Sequence, residues 1–334
     1  MNCFKLPASL CNELNSLIRN FWWGQREKER KLAWIAWEKM CTPKAERGMG
    51  FKDLRAFNLA LLAKQGWRLT QNIESLAHRV LKARYFPESN FLEAQIGKKP
   101  SYTWRSLMAA KEVLRRGLRW NIGNGWRTKI WADRWIPTPN SFMVESPRPQ
   151  NFVGELVETL LDHELGGWNI STVKSVFLSY EAEVILSIPI SPSFPEDALI
   201  WAWMKKGDFS VKCAYQVAYK WLAKDRGRGA GGEESNPRKK KEFWKVIWDL
   251  NCPSKVKFFL WRACKNILPT NYCLWRWKVS MVDECVHCGL IESSRHALWD
   301  CWMAEAVWKE SNLLFTLIVT FMMWYGKFGR SERK

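Results

Sequence analysis

The run CVHCGLIESSRHALWDC, residues 285–301, places four side chains that bind transition metals within one short stretch. Cys285 and Cys288 form a C-x2-C turn, His296 follows the second cysteine, and Cys301 closes the run. Zinc prefers four tetrahedral ligands drawn from thiolates and imidazoles, and a closed set of four marks a structural site without an open position for catalysis. The spacing therefore predicts a Cys3His site with structural Zn²⁺ as the cofactor.

Other residues near the run could also bind a metal, and the spacing of His296 and Cys301 limits the backbone between them. His287 is a rival, but it lies between the two cysteines of the turn and we expect it to point outward. Cys264 and Cys273 lie off the spacing and are predicted to be buried thiols. Five helical steps would place His296 and Cys301 about 140° apart around a continuous α-helix. We therefore expect a bent or extended segment between these two ligands, with a helix beginning near Cys301.

The composition of the whole chain is that of a folded protein with reduced thiols. Of 334 residues, 47% are hydrophobic, and 23 are Trp, which also stack well on bases and guanidinium groups. Residues 1–20 have no clean apolar segment, so no signal peptide is predicted, and the ten cysteines favour metal binding over disulfides. Residues 313–325 are apolar but too short to span a bilayer. We expect an intracellular protein, nuclear or cytoplasmic, that is neither secreted nor membrane-bound.

The positive charge is concentrated in the first part of the chain. Residues 1–150 carry 27 Lys and Arg against 12 Asp and Glu, whereas residues 151–200 carry 1 against 8, and the formal net charge is +19. Such a basic half favours a polyanionic partner, most often nucleic acid, over a merely solvated surface. The candidate contacts cluster on and before a Trp-rich segment: Arg105, Arg115, Arg116, Arg119, Arg127 and Lys129. The alternative is that these cations cover buried Trp rings.

Hydrophobic periodicity predicts mostly helices. Helices are expected at 9–22, 53–69, 75–84 and 103–115, then at 153–161 and 171–187, and further on up to residue 222, at 254–264 and at 304–308. Alternation around the Gly-Asn-Gly sequence at 123–125 predicts a β-hairpin over 118–130, and a second hairpin is expected at 199–211. The fold class is therefore α+β, mainly α-helical with small β-hairpins and one structural Cys3His zinc site.

Changes in composition predict five parts of the chain. They are a basic Trp-rich helical region with a hairpin (1–136), an acidic linker with a small α/β segment (137–223), a flexible low-complexity linker (224–241), a zinc-binding domain (242–312) and an apolar and basic tail (313–334).

No active site is predicted. A polymerase or nuclease needs clustered carboxylates that hold two metal ions, and the sequence contains no Asp-Asp pair. The acidic residues of 151–200 are read as a solvated helical surface. No phosphate-binding loop is found, because Gly123 and Gly125 lie in the predicted hairpin turn. We expect no enzymatic activity and no small-molecule substrate.

The order of several motifs resembles that of a known family. The stretches are FWWG (21–24), Trp34 with Trp37, FNLALLAKQGWRL (57–69), LKARYFP (81–87), SYTWRSL (101–107), GLRWNIGNG (117–125), WADRWIP (131–137), KKGDFSVKCAY (205–215), FWKVIWDL (243–250), PSKVKFFLWRACKNILPT (253–270) and the Cys/His run. In this order they resemble the C-terminal part of plant LINE-type (non-LTR) retrotransposon polyproteins, including the reverse transcriptase zinc-binding domain.

The resemblance implies a zinc-binding, nucleic-acid-binding accessory region of a reverse transcriptase, with its ligands at Cys285, Cys288, His296 and Cys301. The polymerase carboxylates would lie upstream, the family often continues into an RNase H-like domain, and Arg47 stands where Gly is usual, so a fragment or decayed copy is expected. RNA or DNA is the expected partner, together with a reverse transcriptase domain. The alternative is a zinc-stabilised protein-interaction module that docks on a polymerase or a host protein.

Overall fold

The computed structural model describes residues 2–24, 32–138, 141–225 and 237–310. The helices there are α1 (Ala8–Trp22), α2 (Trp37–Cys41), α3 (Leu54–Gln71), α4 (Leu76–Tyr85), α5 (Tyr102–Gly117), α6 (Ile170–Val176), α7 (Ser179–Leu186), α8 (Val211–Asp225), α9 (Pro237–Asp249), α10 (Ser254–Cys264), α11 (Asn271–Arg276) and α12 (Trp302–Glu310). The strands are β1 (Leu118–Asn121), β2 (Leu161–Asp162), β3 (Gly167–Trp168) and β4 (Ala198–Trp201). Two small two-stranded sheets and a Cys3His cluster accompany the helices, which confirms the predicted fold class.

The described chain divides into two compact units. One contains residues 2–13, 53–138 and 141–225, and the other contains residues 14–24, 32–52 and 237–310. The predicted low-complexity linker lies mostly outside the described residues, and the tail 313–334 lies wholly outside them. The predicted domain limits stay predictions. None of the helices in the described ranges is both long enough and apolar enough to cross a membrane.

Polar N-caps begin the first long helices. The Asp53 carboxylate accepts the backbone N–H of Ala56 at 2.9 Å, and the hydroxyls of Ser75 and Ser101 do the same at the starts of α4 and α5. Each cap satisfies a backbone donor that has no partner inside the helix. The four helices predicted nearest the N-terminus are confirmed to within two residues at each end.

The core of the first unit lies among α3, α5 and α8. Trp104 and Trp201 are fully buried there, and Tyr85 stacks on Trp104 with 4.6 Å between ring centroids. A Cβ atom on Gly117 would lie 2.0 Å from the Trp201 ring, so the last residue of α5 must be glycine for this ring to fit.

Both predicted hairpins at 118–130 and 199–211 are wrong. Strand β1 pairs antiparallel with β4, with Leu118 opposite Trp201 and Asn121 opposite Ala198. The first strand of each predicted hairpin therefore pairs with the first strand of the other and not with its own neighbour in the sequence. Val211, predicted to end a strand, begins α8. The predicted single helix at 171–187 is divided into α6 and α7.

The glycine-rich segment after β1 encloses a buried carboxylate instead of turning a hairpin. Asp197 accepts the backbone N–H groups of Gly123, Gly125 and Arg127 at 2.8, 2.9 and 3.0 Å, and the Thr128 hydroxyl at 2.9 Å. Asp197 is only 4% exposed. Four donors satisfy both carboxylate oxygens, which is the condition under which burying such a charge is tolerated.

The first unit has a second hydrophobic core, and it shows that not all acidic residues of 151–200 lie on a solvated surface as predicted. It packs Ile130, Trp135 and Ile136 against the helices and short strands of residues 157–188. Glu181 is fully buried within it and accepts the backbone N–H groups of Glu145 and Ser146. Two of the acidic residues, Glu181 and Asp197, are therefore structural hubs and not part of a solvated face.

In the second unit, aromatic side chains hold the chain around α10. Trp22 contacts Phe51 and Phe258 edge-on, with ring centroids 5.0 and 5.1 Å apart. The buried Trp261 donates its indole N–H to the Arg47 carbonyl at 3.1 Å. Arg47 adopts φ 71°, the left-handed region that favours glycine.

Candidate metal centre and basic clefts

The C-x2-C turn is closed by two backbone hydrogen bonds. The N–H of Cys285 donates to the Leu290 carbonyl at 2.7 Å, and the N–H of Gly289 donates to the Cys285 carbonyl at 2.9 Å. Gly289 adopts φ 73°, a conformation that glycine takes without steric cost. This tight turn brings the thiols of Cys285 and Cys288 to the same side of the chain.

His296 and Cys301 are joined by a π-helical turn. The turn spans His296–Asp300, and the N–H of Cys301 donates to the His296 carbonyl, five residues back, at 3.1 Å. Closure over five residues places the two side chains one turn apart on one face, which an α-helix could not do. The expectation of an extended or bent connection is corrected by this wider turn, whereas a helix does begin next to Cys301, at Trp302.

The four predicted ligands come together in one cluster. One donor atom from each of Cys285, Cys288, His296 and Cys301 lies within 4.8 Å of all the others. The thiol sulfurs of Cys285 and Cys301 are 3.9 Å apart, and the Cys288 sulfur is 3.1 Å from Nε2 of His296. Metal bonds of zinc to sulfur and nitrogen imply separations of roughly 3.5 to 3.8 Å between ligands of a tetrahedron. The donor set fits one tetrahedral ion, and the separations in the cluster, from 3.1 Å to at most 4.8 Å, lie on both sides of these values.

The surroundings shift the thiol pKa values of Cys285 and Cys288 in opposite directions. The backbone N–H of His287, followed by the imidazole of His296, lowers the pKa of Cys285 to about 7. For Cys288, the backbone N–H of Leu290 acts to lower the pKa, but burial and the neighbouring Cys285 together raise it. Backbone donors aimed at sulfur stabilise the thiolate, which is the form that binds a metal.

Polar side chains outside the cluster attach the ligand-bearing loop to the neighbouring helices. Glu292 accepts the backbone N–H of Asn271 at 2.6 Å, and the Asn271 amide donates to the Glu284 carbonyl at 2.8 Å. The Asn266 side chain accepts the backbone N–H of Ser294 at 3.0 Å. The loop that carries the ligands is thus fastened to the start of α11 and to the end of α10.

The rival ligands lie outside the cluster. His287 is exposed, and its carbonyl accepts the indole N–H of Trp302 at 3.4 Å. Cys273 is buried and its thiol donates to the Asn266 carbonyl at 3.1 Å. Burial strongly raises the pKa of Cys264, which keeps that thiol protonated.

Two of the candidate nucleic-acid-binding residues border a basic cavity beside α5. This α5 cavity has a volume of about 810 Å³, and its lining includes the cations Lys5, Arg55, Arg105, Lys111 and Arg115 with a single carboxylate, Glu112. Glu112 is already paired with Arg116 at 2.7 Å. No ion pair joins Arg55, Arg105 or Arg115 to a carboxylate in the part of the chain that the structure describes.

The wall and floor of the α5 cavity come from distant segments. The Tyr102 hydroxyl donates to the Lys5 carbonyl at 2.7 Å, and the Lys5 N–H donates to the Ser106 hydroxyl at 2.9 Å. Lys111 is 5% exposed and donates to the Ala94 carbonyl at 2.6 Å. Burial, with a further contribution from the charge of Arg115, lowers the pKa of Lys111 to about 8.

The other four predicted contacts lie in different surroundings. Arg116 lies beside Trp221, with 5.8 Å between its guanidinium carbon and the ring centroid. Arg119 is partly buried, donates to the Trp135 carbonyl at 3.2 Å, and has its pKa lowered by burial. Arg127 pairs with Glu196 at 3.0 Å, and Lys129 is exposed. The structure therefore brings Arg105 and Arg115 to one cavity and does not bring all six candidates together.

Several cations that line these cavities were not among the residues predicted from the sequence. Lys111 precedes Arg115 by one helical turn, and that i,i+4 spacing was a usable signal. Lys5 and Arg55 belong to other elements and had no such signal. A second cleft, lined by residues of α5, α8 and the loop after β4, includes Trp203, Lys220 and Lys224 among its lining residues.

The fold and the cluster define a mainly helical protein with a Cys3His group able to hold a metal ion. Residues 209–308 match the family described as zinc-binding in reverse transcriptase. The chain is 46% identical over 150 residues to an Arabidopsis thaliana protein named "Uncharacterized mitochondrial protein", across 45% of this chain and 94% of that protein. The chain belongs to the same protein family as that Arabidopsis protein.

A second relative is longer than this chain. It is an Arabidopsis thaliana protein named "Putative ribonuclease H protein", 30% identical over 322 residues, which are 92% of this chain. The chain spans about half of that relative, 48% of its length.

Proposed function

We propose that this chain is a non-catalytic accessory region of a protein related to the reverse transcriptases of LINE-type retrotransposons, and that it binds RNA or DNA. The observation that carries nucleic-acid binding is the α5 cavity, where Arg55, Arg105 and Arg115 face a common space without carboxylate partners among the described residues. Unpaired cations grouped in this way attract the phosphates of a polyanion.

We propose zinc as the ion of the Cys3His cluster. Three thiols and one imidazole suit zinc better than the oxygen-preferring cations, and the family match names zinc binding. When bound, the ion would supply a cross-link between the C-x2-C turn and the π-helical turn. Four protein ligands complete a tetrahedron, so this chain's residues hold a fold element and leave no position for a substrate.

The absence of catalysis is part of the proposal. In the described residues, the Cys3His cluster is the one group of three or more His, Cys, Asp and Glu side chains that could hold a metal. The most buried carboxylates, Asp197 and Glu181, are saturated by hydrogen bonds to the backbone and to hydroxyls. The ribonuclease H activity named for the longer relative is therefore not proposed for this chain.

Salt dependence of binding tests the nucleic-acid proposal. Affinity of the full chain for a labelled oligonucleotide, measured by fluorescence anisotropy between low and moderate salt, should fall steeply because bound phosphates release counterions. Arg105→Ala/Arg115→Ala should weaken binding and reduce the slope of log affinity against log salt by about 1 to 2.

The control removes two positive charges elsewhere. Arg79→Ala/Lys174→Ala alters exposed side chains that do not line the α5 cavity, and it should leave the slope nearly unchanged. Affinity that stays constant with salt, or equal losses in the two double variants, would rule out phosphate binding at the α5 cavity.

Protein docking is the second candidate function. Apolar side chains around the metal cluster are exposed, with Met281 at 97%, Val286 at 83% and Leu290 at 62%. An exposed apolar group of this kind is typical of interaction sites. Binding of a purified reverse transcriptase domain by the full chain, together with no oligonucleotide binding at low salt, would favour docking over the nucleic-acid proposal.

A further inference from the structure

A second cleft of about 650 Å³ lies in the same unit, where it is lined by Arg116 of α5 and by residues of α8 and neighbouring loops. We name it the tryptophan cleft; the lining residues that matter here are Arg116, Arg134, Trp203, Lys220, Trp221 and Lys224. Its described lining contains four cations and no carboxylate. It therefore combines two indole rings with concentrated positive charge.

Trp203 is exposed but held in place. The ring is 45% exposed, and it packs edge-on against the buried Phe142, with 5.4 Å between ring centroids. Phe142 in turn lies under the guanidinium of Arg134, 5.3 Å from the ring centroid. The Trp203 indole is therefore held by packing on one side and exposed to solvent on the rest of the ring. A flat ligand could stack on it without a change in its position.

Lys220 and Lys224 concentrate positive charge in the cleft, whereas Arg116 is already paired with Glu112 at 2.7 Å. Lys220 and Lys224 lie four residues apart on α8, a spacing at which like charges destabilise a helix. Neither pairs with a carboxylate among the described residues. Arg134 is half-buried, and burial and the nearby charge of Arg116 both lower its pKa. A bound anion would relieve this repulsion.

We infer that the tryptophan cleft binds an unpaired nucleotide of single-stranded nucleic acid, with the base stacked on Trp203 and the flanking phosphates contacted by Arg116, Lys220 and Lys224. This inference rests on the proposed nucleic-acid-binding function and adds a preference for single strands. Aromatic rings bind bases through stacking, and a base can offer its face to a side chain only when it has left the duplex stack.

The size and composition of the cleft support a nucleotide over other anions. Binding pockets of about 300 to 1,000 Å³ accommodate small organic groups, and the cleft, at about 650 Å³, has room for a nucleotide but not for stacked base pairs of a duplex. An acidic peptide would satisfy the cations but would leave the Trp203 ring without a stacking partner. The two chemistries therefore differ in their dependence on Trp203.

The experiment compares Trp203→Ala with Trp203→Phe and with Trp277→Ala in the full chain. Trp277 is 46% exposed, close to the exposure of Trp203, and does not line the cleft. Binding of a single-stranded oligo(dT), an oligo(U) and a blunt duplex is measured by anisotropy at one salt concentration. We expect Trp203→Ala to weaken single-strand binding about 10-fold, Trp203→Phe to retain most of it because a ring remains, and Trp277→Ala to have little effect.

Further readouts separate the inference from the proposed function. An oligonucleotide with 5-iodouracil should cross-link on irradiation to the tryptic peptide that contains Trp203, and the Trp203 dependence should appear for oligo(dT), oligo(U) or both. Equal binding of duplex and single strands with no effect of Trp203→Ala would overturn the tryptophan cleft and leave salt-dependent binding at the α5 cavity intact. Competition by poly-glutamate as effective as that by oligonucleotide would also overturn it. No binding of any nucleic acid at low salt would overturn both proposals.

Discussion

At the residue scale, the metal cluster depends on donor atoms that the surrounding backbone has already arranged. The backbone N–H of His287 and the His296 imidazole lower the pKa of Cys285 to about 7, so this thiol loses its proton more readily than a free cysteine. Cys285, His296 and Cys301 are each about 5% exposed or less. Three buried ligands and the half-buried Cys288 thiol converge on one point, an arrangement typical of a structural ion.

Replacing two ligands should abolish metal binding. We expect the purified chain to hold one zinc ion, and Cys285→Ser/Cys288→Ser to hold none, because the remaining two ligands cannot complete a tetrahedron. Elemental analysis by mass spectrometry gives the stoichiometry. Cys3→Ser/Cys252→Ser is the matched control, since these thiols lie outside the cluster, and it should retain the ion. A parent chain without zinc, prepared with zinc in the medium, would contradict the site.

At the scale of elements, one buried carboxylate joins two segments that are far apart in the sequence. Asp197 lies directly before β4, and its oxygens accept donors from the loop that follows β1. The same two strands pair along their whole length. A β-pair of four residues is weak by itself, so the carboxylate and the loop around it stabilise the pairing.

Asp197→Asn should destabilise the first unit strongly. An amide nitrogen would replace one acceptor oxygen and face donors that have no other partner, at a cost of about 3 kcal/mol in the free energy of unfolding. Denaturant unfolding followed by circular dichroism measures the loss.

Glu196→Gln is the neighbouring control for this substitution. Its side chain is 72% exposed and pairs with Arg127 at the surface, so we expect a change of less than about 1 kcal/mol. Similar stabilities for the two variants would show that the buried hydrogen bonds of Asp197 contribute little.

At the scale of the whole molecule, the metal cluster and the basic clefts belong to different units. The α5 cavity and the tryptophan cleft are lined by residues of the unit that contains α3, α5 and α8. The Cys3His cluster belongs to the unit that contains α10 and α11. Each unit has its own buried side chains, so their stabilities are expected to respond separately to metal removal.

Removal of the metal should loosen one unit selectively. Chelation is expected to speed amide hydrogen exchange across residues 285–302, because binding of a structural metal supplies much of the folding free energy of such a segment. Exchange in α3 and α5 should remain slow. Hydrogen exchange read by mass spectrometry, before and after chelation and after zinc is restored, measures this. Unchanged exchange at 285–302 in protein shown to be free of metal would contradict a structural role.

Much of the fold was predictable because its causes are local. Helices α3, α4 and α5 begin at Asp, Ser and Ser caps that the sequence displays, and the C-x2-C turn and its Gly289 lie within five residues. The connection from His296 to Cys301 was only partly predictable. The 3.6-residue period of an α-helix correctly excluded a continuous helix, but a π-helical turn follows from packing and not from the pattern of residues.

The sequence by itself determined the donor set of the metal cluster, the helix starts and the concentration of positive charge, because each depends on neighbours along the chain. Tertiary structure alone decided that β1 pairs with β4, that Asp197 and Glu181 are buried, and that Lys5 and Arg55 join α5 around one cavity. Each of these contacts joins residues tens of positions apart. Their pairing depends on which surfaces can be buried together and which buried charges find donors, and a linear pattern does not record either condition.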